Sequence, residues 1–164
     1  STHGGSLRVF AAKAASRRSV KTSVRTLLLD EKKKKLQSEE TYRRYGIRIQ
    51  KNRAQLLSLL AGLKGQGKRI AGYGAPAKGN TLLNFFSIGC ELLEYIVDDS
   101  PHKQGKHTPG KRIPVVSVDE LAKNPPDYLL ILAWNLAPSI MKKTESFRKR
   151  GRFIIPVPTP RIVS

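Results

Sequence analysis

The chain has 164 residues, of which 39% are hydrophobic and one, Cys90, is a cysteine. This length and hydrophobic content fit one ordinary domain with a core of its own. A single cysteine excludes an internal disulfide and a cysteine-based zinc cluster, and it predicts a reducing, cytoplasmic setting. The longest apolar run, 128–134, is too short to cross a bilayer, so we expect no membrane partner.

The net charge of +19 raises the question of a nucleic-acid partner. Residues 1–70 hold 18 Lys and Arg against 4 Asp and Glu, whereas residues 71–164 hold 13 against 8. The basic excess therefore lies in the first half of the chain, which has few aromatic residues to stack on bases. Such runs are typical of solvated surfaces, so a basic nucleic-acid-binding module stays an alternative and nucleic acid is not an expected partner.

The first forty residues differ in composition from the rest of the chain. Residues 7–12 alternate loosely and predict a short strand. Residues 13–40 are polar and basic and predict a mobile segment. We therefore divide the chain into an N-terminal strand with a basic segment, 1–40, and a main domain, 41–164.

The main domain opens with one long predicted helix and then alternates strand with helix. Residues at helical spacing form the stripe of the first helix: Tyr45, Ile49, Leu56, Leu60 and Leu63. Strands are predicted at 69–73, 94–98, 113–116, 128–134 and 153–157, and further helices at 79–88, 117–123 and 138–150. A capping box from Ser117 to Glu120 is expected to begin the second of these helices. The alternation predicts an α/β fold, a Rossmann-like three-layer domain with a mainly parallel sheet.

A glycine-rich segment, Gly72 to Thr81, follows the first predicted strand of this sheet. Gly72 and Gly74 permit a tight turn and close approach of the backbone to a ligand, and the next helix offers free N–H groups to an anion. Lys78 adds a positive charge that suits a phosphate. The glycine spacing matches neither the dinucleotide fingerprint nor the P-loop. A turn that only packs the helix on the sheet is the alternative.

Two further segments end on the same predicted edge of the sheet. Asp98 and Asp99 end the second strand, near the place where an acid meets a ribose in Rossmann folds. They equally fit a role in capping Ser100-Pro101 or in balancing nearby lysines. The polar loop 101–110 that follows is long enough to bind a ligand. Trp134 and Asn135 complete this rim, with a core position as the alternative for the tryptophan.

The N-terminus places His3, Ser6 and Arg8 around a flexible glycine pair. Such a group can recognise phosphate or sugar, and a disordered end is the alternative. The histidines lack the partners of a metal site, and no nucleophile–base–acid triad is visible, so we assign no metal ligand and no catalytic residue.

Four ordered motifs together resemble the C-terminal domain of the SAM-dependent sugar C-methyltransferases. They are His3-Gly4-Gly5-Ser6-Leu7-Arg8, Gly72-Tyr73-Gly74-Ala75-Pro76-Ala77-Lys78-Gly79-Asn80-Thr81, Ile96-Val97-Asp98-Asp99-Ser100-Pro101 with the loop to Gly110, and Ile131-Leu132-Ala133-Trp134-Asn135. The resemblance covers nearly the whole chain.

The resemblance implies an enzyme of three parts that works in deoxysugar biosynthesis. A cysteine-rich region binds zinc, a central domain holds SAM and the catalytic base, and a Rossmann-like C-terminal domain holds a nucleotide-linked ketosugar against it. We expect this chain to be the third part, with no cofactor of its own and with SAM and zinc in the full-length enzyme. Its expected partners are a nucleotide-diphosphate sugar and the central methyltransferase domain, and the isolated chain is expected to be inactive.

The expected substrate-binding residues lie in these motifs. They are His3, Ser6, Arg8, Gly72, Tyr73, Gly74, Ala75, Lys78, Gly79, Asn80, Thr81, Asp98, Asp99, Lys103, Gly105, His107, Trp134 and Asn135. The alternative function from the residues alone is an NAD(P)- or other nucleotide-binding Rossmann module.

Overall fold

The computed structural model describes residues 6–164, so His3 lies outside the described residues. The chain divides into two compact units, Ser1–Gln50 and Lys51–Ser164. None of the helices in the described part combines the length and the hydropathy that a membrane span requires.

The secondary structure of the first unit differs from the sequence prediction. The predicted strand at 7–12 is wrong, because these residues are exposed and carry no regular structure. The unit instead contains helix α1, Thr22–Lys33, and the start of helix α2, Glu39–Gly65. Leucine, lysine and glutamate are good helix formers, so the composition of 13–40 favours a helix. The prediction of a mobile segment gave weight to the basic charge and not to this propensity.

In the second unit, α2 buries one stripe of residues. Its buried residues are Asn52, Leu56, Leu60 and Leu63, whereas Tyr45 in the first unit is exposed. The Asn52 side chain donates hydrogen bonds to the carbonyls of Pro156 and Pro158 at 2.9 and 2.8 Å. The asparagine therefore joins α2 to the last turn of the chain.

A six-stranded sheet, mostly parallel, forms the centre of the second unit and confirms the predicted α/β, Rossmann-like fold. Its strands are β1, Ile70–Tyr73; β2, Ile96–Val97; β3, Val115–Val116; β4, Tyr128–Ile131; β5, Arg152–Ile155; and β6, Arg161–Val163. The spatial order is β3-β2-β1-β4-β5-β6. Only the β5–β6 pair is antiparallel among these strands, and β6 is absent from the sequence prediction.

Four more helices connect these strands: α3, Ala77–Phe86; α4, Glu120–Lys123; α5, Ala137–Lys143; and α6, Glu145–Arg148. The single helix predicted at 138–150 is interrupted at Thr144, whose hydroxyl donates to the carbonyl of Ile140 at 2.8 Å. The predicted capping box is wrong, because Ser117 Oγ accepts from the backbone N–H of Asp119 and not from that of Glu120. This bond closes a serine turn, which competes with a helix cap.

Helices cover both faces of the sheet. One face packs Leu121, Ile140 and Phe147 of α4, α5 and α6 against Ala71, Tyr73, Leu129, Ile131 and Phe153 of the strands. Because side chains alternate along a strand, Ile70, Leu130 and Ile154 point to the other face, and all three are fully buried. Burial on both faces explains the continuous apolar run of β4.

Two glycines let α3 approach the sheet closely. A Cβ on Gly79 would stand 2.9 Å from Leu132 Cβ and 3.3 Å from the Leu132 carbonyl oxygen. A Cβ on Gly72, inside β1, would stand 2.8 Å from Ile96 Cγ1. The shortest distance at each glycine is below van der Waals contact, so any side chain there would push α3 or β2 away.

We expect Gly79→Ala to lower the free energy of unfolding by about 1–3 kcal/mol, because the added methyl overpacks a rigid contact. Chemical denaturation of the 164-residue chain measures this change.

Gly62→Ala is the matched control. Gly62 lies in α2 with nothing within 4 Å of the added Cβ, so the same substitution should stabilise the helix by up to about 1 kcal/mol. Equal effects of the two substitutions would contradict the packing role of Gly79.

Candidate functional site

The centre of the sheet contains the topological switch point of the fold. β1 pairs with β2 on one side and with β4 on the other, and Tyr73 lies beside Ile131 where β1 and β4 end. The chain leaves β1 and β4 toward opposite faces, so their carboxyl ends leave a crevice between them. In open α/β sheets, this is where ligands bind.

The turn after β1 shapes one wall of this crevice. Gly74 has a positive φ of 84°, which favours glycine, and its N–H donates to the Val97 carbonyl at 2.7 Å. α3 then begins at Ala77, and among the described residues no side chain caps its start. The first amides of α3 are therefore available to an anion, which the helix dipole also favours.

Lys78 reaches across the crevice from α3 to the end of β4. Its Nζ donates to Asn135 Oδ1 at 3.0 Å and lies 5.6 Å from the centre of the Trp134 ring. Trp134 and Asn135 belong to a 3-10 turn, Trp134–Leu136, and both are half-buried. A cation, an amide and an aromatic face thus converge at the switch point, as the sequence predicts.

The Asp98 carboxylate accepts three hydrogen bonds, one of which comes from the glycine turn. Its Oδ2 accepts from the Ala75 N–H at 2.7 Å and from Lys103 Nζ at 3.1 Å, and its Oδ1 accepts from the Ser100 N–H at 2.9 Å. Burial raises the pKa of this carboxyl, but the hydrogen bonds from Ala75, Ser100 and Lys103 outweigh burial and leave the pKa below its ordinary value. Asp98 is therefore an anion that positions the backbone of the turn.

Asp99 makes its contacts on the face of the sheet that α5 covers. Its Oδ1 lies 2.6 Å from Lys143 Nζ, and its carboxylate accepts from the Tyr73 hydroxyl at 3.2 and 3.3 Å. Burial, the charge of Asp99 and this hydrogen bond raise the pKa of Tyr73 to about 12. Tyr73 therefore keeps its proton at neutral pH and acts as a hydrogen-bond donor to Asp99.

A second cleft opens on the other side of α3. Its volume is about 230 Å³, and its walls include Ala75, Asn80, Lys103 and His107. Asn84 of α3 donates to the Pro109 carbonyl at 3.0 Å and so holds the loop 101–110 against the helix. The glycine turn and the predicted binding loop thus border one cavity.

The remaining predicted site residues do not take part in the contacts around Lys78 and Asp98. Ser6 and Arg8 are exposed residues of the first unit, whereas the residues described above belong to the second unit. Gly72 lies inside β1, where it serves packing, and the Thr81 hydroxyl donates to the Ala77 carbonyl within α3. Gly105 has a positive φ of 75° in the loop 101–110.

Two residues of this region, Lys143 and Asn84, are absent from the site residues that the sequence predicts. Lys143 belongs to α5, far from Asp99 in sequence, and no local pattern links them. Asn84 lies one helical turn after Asn80, and this spacing is the signal that places both side chains on one face of α3.

We expect Asp98→Asn to lower the free energy of unfolding by about 1–3 kcal/mol at neutral pH, since the amide cannot accept from Ala75, Ser100 and Lys103 at once. The folded-state pKa of Asp98 is lowered, so its stabilisation is full above the ordinary carboxyl pKa and is lost as pH falls through the lowered value. Denaturation at several pH values should therefore show the variant and the parent converging in acid.

Asp99→Asn provides the comparison. Its carboxylate is half exposed and pairs with an exposed lysine, so we expect a loss below about 1 kcal/mol. A loss as large as that of Asp98→Asn would contradict the special role of Asp98.

Comparisons with known proteins bear on the identity of this domain. Residues 1–158 match the C-methyltransferase C-terminal domain family. The chain is 43% identical over 163 residues to the C-methyltransferase NovU of Streptomyces niveus, and the match covers 99% of this chain and 39% of that protein. The chain therefore spans about two fifths of the length of this curated relative.

The four-motif resemblance is confirmed by both findings at the level of the C-methyltransferases. The match extends over both compact units, and it contains the glycine turn, the Asp98 loop and the turn after β4. The chain belongs to the family of C-methyltransferase C-terminal domains.

Proposed function

We propose that this domain binds a nucleotide-diphosphate sugar at the carboxyl edge of β1 and β4 and positions a ketosugar for methyl transfer. The observation that carries the proposal is the position of Lys78, which stands at the start of α3 and faces Trp134 and Asn135 across the switch point. A diphosphate matches the lysine charge and the free amides of α3.

The surroundings of α3 suit the other parts of such a ligand. Its first turn is flanked by the crevice beside Trp134 and by the cleft beside Asn80 and His107. A diphosphate at the helix start therefore has room for a group on either side. Aromatic and amide side chains are suited to contacts with a sugar or a base.

In this proposal the chemical step belongs to another part of the enzyme. Among the described residues, no three His, Cys, Asp or Glu side chains are placed to hold a metal, and the chain has one cysteine, so this domain does not fit the zinc site. SAM, when bound elsewhere, would supply the methyl group. The domain would contribute binding and orientation, which lower the cost of bringing the reactants together.

An NAD(P) site is less well supported by the geometry. A Rossmann acid needs a free carboxylate for the ribose, but Asp98 accepts three hydrogen bonds from its own chain and Asp99 is engaged by Tyr73 and Lys143. Both acids are therefore bonded to their own chain and stabilise the fold. This favours a ligand that is bound by cations and amides.

We expect Lys78→Ala to weaken binding of a thymidine-diphosphate sugar by about tenfold while the fold is retained, since the residue is exposed. Isothermal calorimetry gives the affinity, and heteronuclear NMR maps the shifts on the parent chain. The shifts should be confined to Gly72–Thr81, Asp98–Gly110 and Trp134–Asn135.

Lys123→Ala is the control, because Lys123 is an exposed lysine of α4 outside both the crevice and the cleft. Its affinity should equal that of the parent. No shift at any of the three segments, or stronger binding of NAD or a DNA duplex than of the sugar nucleotide, would overturn the proposal.

A further inference from the structure

The amino edge of the sheet carries a hollow that the proposed sugar-nucleotide site does not use. It has a volume of about 510 Å³ and is lined by Lys68, by the segment Arg148–Arg152 and by Asp127, Tyr128 and Ser164. Tyr128 and Arg152 are paired at the start of β4 and β5. Since these strands are parallel to β1, the hollow lies at the edge opposite Lys78.

Positive charge is concentrated in this hollow. Five of its side chains are cationic and one, Asp127, is acidic: Lys68, Arg148, Lys149, Arg150 and Arg152 are the cations. Asp127 is already engaged, since it accepts from the Arg69 N–H at 2.8 Å and lies 3.6 Å from Lys68 Nζ. Within the described residues, the four cations from Arg148 to Arg152 form no ion pair.

Such an arrangement has an electrostatic cost. Like charges held close together repel one another, and the repulsion is relieved when an anion enters. Arginine presents a planar fork of donors that matches phosphate oxygens, and three of the four unpaired cations are arginines. A ligand with several negative charges would neutralise the cluster better than a single phosphate.

We propose that this hollow is a second anion site, which binds a small oligophosphate. The hollow is open to solvent, and its volume of about 510 Å³ has room for a short chain of phosphate groups. Tyr128 is the one aromatic residue of the lining, whereas binding of single strands relies on several stacked bases. The site depends on charge and concavity alone, and it stands whether or not the sugar nucleotide binds at Lys78.

The test is an NMR titration of the 164-residue chain with inorganic tripolyphosphate and, separately, with orthophosphate in about 150 mM salt. We expect saturable shifts at Lys68 and Arg148–Arg152 with tripolyphosphate and much weaker ones with orthophosphate. Shifts at Gly72–Thr81 under the same conditions would report the proposed substrate site separately.

The double variant Arg150→Gln with Arg152→Gln removes two cations of the hollow. Both side chains are exposed, so the fold should persist and affinity for tripolyphosphate should fall by about tenfold or more. The double variant Lys123→Gln with Lys142→Gln lowers the net charge equally outside the hollow, and its affinity should change by less than about twofold.

Three outcomes would overturn the inference. The first is the absence of saturable shifts at Arg148–Arg152 with millimolar tripolyphosphate. The second is equal affinity for orthophosphate, which would show that the hollow does not bind several phosphate groups at once. The third is an equal loss in both double variants, which would assign the binding to net charge alone.

Discussion

The rest of the second unit depends on the close contact between the start of α3 and the end of β4. Gly79 approaches Leu132 at a distance that leaves no room for a side chain, and a Cβ on Gly74 would stand 3.2 Å from Ala133 Cβ, a tight contact. This contact fixes where α3 begins, and hence where its free amides and Lys78 point. The position of the candidate site is therefore a consequence of backbone packing, and Lys78 adds charge to a shape that the glycines create.

The two acids after β2 stabilise this shape from either face. Asp98 is buried and ties the glycine turn to the loop 101–110 through Ala75 and Lys103. Asp99 joins Tyr73 of β1 to Lys143 of α5. Since a buried carboxylate is tolerated only when it is fully hydrogen-bonded, Asp98 also restricts the turn to one conformation. The two acids thus hold the candidate site in place, and Lys78, Asn135 and the free amides of α3 line it.

The charges are divided between the two edges of the sheet by the direction of its strands. At the carboxyl edge, Lys78 stands among an amide and an indole, a setting for a ligand with both charged and uncharged parts. At the amino edge, Arg148–Arg152 form a cluster that Asp127 does not neutralise. Parallel strands keep these edges apart, so the two proposed anion sites lie at opposite ends of the strands and differ in character.

Local patterns were sufficient for much of this protein. The alternation of apolar segments predicted the parallel sheet, and the glycines predicted the tight turn after β1, because periodicity and turn chemistry depend on neighbouring residues. The pairing of Asp99 with Lys143, the tie from Asn52 to the last turn and the cluster around Asp127 join residues that are distant in the chain. These contacts, and the bonding of Asp98 to its own chain, are determined only by the tertiary structure. They depend on which elements the sheet order makes neighbours.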